Sequence, residues 1–82
     1  MDIKKSVALV TGANRGVGRA VVEALVAAGA QKIYAAARNI DGIQDLVAAG
    51  GGKVKAIQLD ITDDAQVAAA AAHCQDVNLL VN

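Results

Sequence analysis

The chain has 82 residues, and its 8 Lys and Arg balance 8 Asp and Glu, so the formal net charge is zero. Hydrophobic residues make up 55% of it, too many for a disordered tail, and the length predicts one domain over 1–82. Balanced charge with no basic run argues against nucleic acid or a membrane surface as partner, and no stretch reaches the ~20 apolar residues that span a bilayer. The single cysteine, Cys74, can close no internal disulfide, and the N-terminus lacks a secretory pattern, so the expected location is cytoplasmic.

In chain order, a first strand is predicted over 6–11, followed by a glycine-rich turn over 12–18. A helix over 16–28 is expected to present Val17, Val21, Leu25 and Ala28 as one face, and to end at Gly29. A second strand covers 32–37, and a shorter helix over 41–49 turns Ile43, Leu46 and Val47 inward before three glycines break it. The third strand, 53–60, alternates, with Val54, Ala56, Ile57 and Leu59 toward a core, as suits an outer strand. Thr62 is the expected N-cap of a third helix reaching Cys74, with Asp63 and Asp64 in its first turn. A fourth strand covers 77–81. Helices between successive strands require parallel crossovers, so the pattern is β-α-β-α-β-α-β in a layered α/β domain.

The sharpest motif is Thr11-Gly12-Ala13-Asn14-Arg15-Gly16-Val17-Gly18, which leaves a strand and opens a helix. Gly12 suits a tight turn with positive φ, Gly16 lets backbone approach a pyrophosphate, and Gly18 lets the helix pack closely on the strand. The helix N-terminus offers N–H donors and a positive dipole end to phosphates. These residues point to dinucleotide binding. A triphosphate-hydrolysing loop would need Lys-Ser/Thr after its last glycine, where this chain has Arg19-Ala20.

The spacing Thr-Gly-x-x-x-Gly-x-Gly resembles the short-chain dehydrogenase/reductase family. Asp60, in Leu59-Asp60-Ile61-Thr62, resembles the family's Asp after strand three, which contacts the adenine ring. Asn82, closing Leu80-Val81-Asn82, resembles the start of its Asn-Asn-Ala-Gly element. The resemblance implies a Rossmann-type three-layer parallel sheet, first half only, with strand order 3-2-1-4. It implies a cofactor-binding set of Gly12, Asn14, Arg15, Gly16, Val17, Gly18, Arg38, Asn39, Asp60, Ile61 and Asn82. An acidic side chain at the end of strand two favours NAD, and a basic one accommodates the 2′-phosphate of NADP. The chain has Arg38 there, with Arg15 in the glycine turn, so NADP(H) is expected over NAD(H).

The family's catalytic Asn, Ser and Tyr-x-x-x-Lys all follow strand four, so no residue here is assigned a catalytic role. The expected function is the NADP(H)-binding portion, truncated before the catalytic half, of an oxidoreductase moving hydride between NADPH and a carbonyl or alcohol. The alternatives are a stand-alone non-catalytic dinucleotide-binding module and a self-associating structural fragment. An apolar fourth strand at a sheet edge predicts self-association through that edge. His73 and Cys74 are helix neighbours pointing about 100° apart, so no metal site is expected. Tyr34 is expected in the core, while Lys53 and Lys55 are expected to keep an outer strand soluble.

Overall fold

The computed structural model describes residues 3–81. A single 3-10 turn, Ile3–Lys5, leads into β1 (Val7–Val10), α1 (Gly16–Ala27) and β2 (Lys32–Ala37). A second 3-10 turn, Ile40–Ile43, runs directly into α2 (Gln44–Ala49), followed by β3 (Val54–Gln58), α3 (Asp64–His73) and β4 (Leu79–Val81). The four strands form one parallel sheet in the order β3-β2-β1-β4, a Rossmann-like topology with the predicted strand order. The order reverses at β1, so the strand ends on either side of that point diverge and leave a crevice between their loops.

The two sheet faces carry unequal cores. Ala8 and Val10 of β1, Ile33, Ala35 and Ala37 of β2, and Val54 of β3 meet Val22, Leu25, Ile43 and Leu46 from α1, the 3-10 turn and α2. The opposite face is thinner: Tyr34 packs with Val7 and Cys74, and Ala36 with Leu59 and Ala70. Alternation along β2 sends odd residues to one core and even residues to the other, so Ile33 to Ala37 are all buried. Helix α3 buries only Ala70 along its length, because its neighbours are alanines with little surface to remove from water.

Several sequence expectations need correction. The buried stripe of α1 is Val22 and Leu25, flanked by Val21 and Val26, whereas Val17 is 81% exposed and Ala28 is also exposed. The close contact of Gly18 with the preceding turn fixes which side of α1 faces inward; Val17, one residue earlier, points about 100° away. The 41–49 helix starts as a 3-10 turn, with Asn39 Oδ1 accepting the Asp41 N–H at 3.0 Å. Ile57 and Leu59 face the α3 side, opposite Val54 and Ala56, as the two-residue period demands. The N-cap of α3 is Asp63, not Thr62: its Oδ1 accepts the N–H groups of Ala65 at 3.0 Å and Gln66 at 3.3 Å.

The fourth strand begins at Leu79 and not at Val77, because Asn78 takes over the ladder before it. Its Oδ1 accepts the Val7 N–H at 2.9 Å, and its own N–H donates to the Val7 carbonyl at 2.9 Å. Beside it, at the N-terminal ends of the strands, Lys32 Nζ donates to Asp76 Oδ2 at 2.8 Å, and the Tyr34 hydroxyl donates to Asp76 Oδ1 at 2.9 Å. Lys32 Nζ also lies 3.2 Å from the Tyr34 hydroxyl, closing the three groups into a ring. The Lys32 bond holds the Asp76 carboxyl below the usual carboxylate range, and Asp76 in turn raises the Lys32 ammonium. The exposed His73 ring meets Tyr34 edge-on at 6.1 Å, and burial pushes the Cys74 thiol up.

Candidate functional site

The C-terminal ends of the strands open onto a cleft of about 450 Å³. Its floor and walls include Val10, Ala37 and Val81 at the ends of β1, β2 and β4, with Leu59 just past β3. Gly12, Asn14, Arg15, Val17 and Gly18 of the glycine turn, together with Arg38 and Ile61, complete the lining.

The turn is held rigidly. Gly12 has φ +65°, a conformation that β-carbon residues avoid. The Arg15 N–H donates to the Gly12 carbonyl at 3.0 Å, and the Ala13 N–H donates to the Ala36 carbonyl at 3.0 Å, tying the loop to β2. A Cβ on Gly18 would overlap the Gly12 carbonyl, so α1 can sit this close to the turn only with glycine there. The sequence assigned Gly18 to helix–strand packing; the contact is instead between the helix and its own turn. A Cβ on Gly16 would meet open space, and Gly16 stands at the exposed start of α1.

The N-terminus of α1 has no side-chain cap; Arg15 occupies the N-cap position in an extended conformation. The first N–H groups of a helix have no intrahelical acceptor, so here they face the cleft together with the positive end of the helix dipole. Among the described residues, no carboxylate pairs with Arg15. Arg19, four residues on, is engaged elsewhere: it bridges to Asp45 of α2 and lies 3.9 Å from Glu23. Arg38 is 78% exposed on the opposite rim, and its Nε stands 3.6 Å from Asp60 Oδ2. The Thr62 hydroxyl and backbone N–H, both donating to Asp60 Oδ1, hold that carboxyl below the usual range.

The structure therefore gathers Gly12, Asn14, Arg15, Val17, Gly18, Arg38 and Ile61 around one cleft. Gly16 lies at its helix entrance and Asp60 behind Arg38; Asn39 turns its side chain to the 3-10 turn, while Asn82 lies outside the described residues. Val10, Thr11, Val21, Ala37, Leu59 and Val81 also line the cleft and went unassigned in the sequence. Most sit at strand ends, so the rule that open α/β sheets bind ligands beyond the carboxyl ends of their strands could have found them. The residues fit a dinucleotide by their own chemistry: an uncapped helix N-terminus, a turn in which Gly12 takes a positive φ and Gly18 leaves no room for a Cβ, and two guanidinium groups. No group of metal-ligating side chains occurs among the described residues, and none of their helices is long and apolar enough to cross a membrane.

Comparison with known proteins gives a consistent picture. The family model described as short chain dehydrogenase matches residues 6–82. The 3-oxoacyl-[acyl-carrier-protein] reductase FabG of Escherichia coli is 37% identical, over 100% of this chain and 35% of that relative. L-xylulose reductase of Mus musculus is 43% identical, over 92% of this chain and 30% of its own length. A short chain dehydrogenase from Burkholderia cenocepacia, solved in complex with NADP, superposes with TM-score 0.90 at 43% identity, over 100% of this chain and 33% of that one. A Burkholderia phymatum relative, solved in complex with NAD, superposes with TM-score 0.85 at 30% identity, over 98% and 31% of the two chains. The chain thus spans about a third of the length of the relatives it matches.

Proposed function

The chain belongs to the short-chain dehydrogenase family, and we propose on that premise that it is the NADP(H)-binding portion of an oxidoreductase moving hydride between NADPH and a carbonyl or alcohol. The observation that carries this reading is the uncapped N-terminus of α1 opening on a cleft with Arg15 and Arg38 at its rims. The pyrophosphate would lie on the α1 N–H groups, where the dipole favours negative charge. The adenosine would lie toward β3, between Arg38 and Ile61, with its 2′-phosphate on the Arg38 fork. Bound there, the nicotinamide supplies the hydride.

What these residues do is bind and orient. Tyr34 is 5% exposed and bonded to Asp76 at the strand ends away from the cleft, so it is placed to hold the fold and not to pass a proton to substrate. The proton donor of the proposed reaction would come from residues outside 1–82. Relatives are solved with NADP and with NAD alike, so the preference for NADP(H) rests here on Arg38 and Arg15.

The test is a fluorescence titration of the chain with NADPH and NADH, before and after Arg38→Asp. The wild type is expected to bind NADPH more tightly, and the substitution to reverse the order. Equal affinity of the wild type for both cofactors would overturn the assignment.

A further inference from the structure

The rim opposite the glycine turn carries a chain of polar contacts with a direction to it. Both donors of Thr62 fall on one oxygen of Asp60: the backbone N–H reaches Oδ1 at 2.9 Å and the hydroxyl at 2.6 Å. The other oxygen, Oδ2, stands 3.6 Å from Arg38 Nε, longer than a direct hydrogen bond, and Nε is the inner nitrogen of the guanidinium. The Asp60 backbone is fixed as well. Its N–H donates to Gln66 Oε1 at 2.8 Å, and Gln66 Nε2 donates to the α3 cap, Asp63, at 3.3 Å. One carboxylate is thus oriented from the first turn of α3, and it faces the guanidinium.

We propose that Thr62 is a positioning residue for cofactor discrimination: its hydroxyl holds Asp60 so that the carboxylate braces Arg38 from the Nε side and leaves the outer guanidinium nitrogens for a 2′-phosphate. This rests on the NADP(H) reading above. A carboxylate free to turn would take the guanidinium fork bidentately, the geometry both groups favour, and would cancel the charge that the phosphate needs. With Oδ1 already accepting two short bonds, that collapse requires breaking them. Thr62 is exposed and belongs to no core cluster, so its hydroxyl acts through Asp60 and not through packing.

NADPH and NADH titrations of Thr62→Val and Thr62→Ser test this, with a thermal melt of each as the check on folding. In Thr62→Val, NADPH binding is expected to weaken by about threefold to tenfold, the scale of one ordinary hydrogen bond, while NADH binding stays within about twofold. Thr62→Ser keeps the hydroxyl and should keep the wild-type ratio. An unchanged ratio in Thr62→Val, or an equal loss for both cofactors, overturns the proposal. A wild type without preference for NADPH is a different failure: it removes the cofactor reading and this proposal with it. A wild type that prefers NADPH beside an unchanged Thr62→Val ratio sinks the role of Thr62 alone.

Discussion

The two ends of the sheet each carry a cation beside a carboxylate, and they are built in opposite ways. At the N-terminal ends, Lys32, Tyr34 and Asp76 close a ring of contacts between 2.8 and 3.2 Å. At the C-terminal ends, Arg38 and Asp60 stop at 3.6 Å, Arg15 pairs with no described carboxylate, and α1 starts without a cap. Satisfied polar groups stabilise a fold, whereas groups held in place with bonding capacity left over recognise a ligand. The difference lies in geometry and in the cation used: an ammonium closed against Tyr34 and Asp76 at one end, guanidinium groups left open at the other.

The largest expected effect separates the two roles with glycines. Gly18→Ala puts a methyl group into the Gly12 carbonyl, and Gly50→Ala puts one into Val54, away from the cleft. Each should cost about 1–3 kcal/mol of stability by overpacking, read by urea denaturation. Only Gly18→Ala should also weaken NADPH binding, by more than about tenfold, because it displaces the turn that presents the α1 N–H groups. Equal binding by the two variants would break the division between the ends.

A middle-sized effect is expected at the closed end. Tyr34→Phe removes the hydroxyl from a buried ring and should cost about 1 kcal/mol with cofactor affinity unchanged. The pH dependence has a definite sign. The Asp76 carboxyl is depressed from its ordinary 3.8, so its contribution is complete at neutral pH and is lost as pH falls below 3.8 through the folded value. The Lys32 ammonium is raised from 10.5, so its contribution is present below that value and is lost as pH rises through the higher folded one. Melting curves across both limbs should be flatter in Asp76→Asn than in the wild type. The smallest effect is at Val17: Val17→Ser on that exposed surface should change stability by less than about 0.5 kcal/mol.

Much of this contrast was legible in the sequence at one end only. The glycine turn announced itself because its residues are consecutive and sit between a strand and a helix. The strand order followed from the same resemblance, and β2 matched its expected bounds of 32–37. The closed end was invisible because Lys32 and Asp76 lie 44 positions apart and meet only once β2 and the α3–β4 connection are side by side. The misplaced cap of α3 has a local cause. Thr62 and Asp63 are both good caps by type, but Asp63 stands immediately before α3, where its Oδ1 accepts the Ala65 and Gln66 N–H groups, while Thr62 lies one residue further out and turns back to Asp60. The rotated face of α1 has a similar origin: apolar periodicity gives a stripe, but the Gly18 contact decides which of two overlapping stripes turns inward.

Tyr34 is the one aromatic residue of the chain, which has no Trp and no Phe. It is therefore the sole intrinsic fluorophore, and it sits in the Asp76 ring and not in the cleft. Its emission should report the opening of that ring during unfolding. The reduced nicotinamide would carry its own separate signal, so folding and binding could be followed in one cuvette, at two wavelengths, without any label.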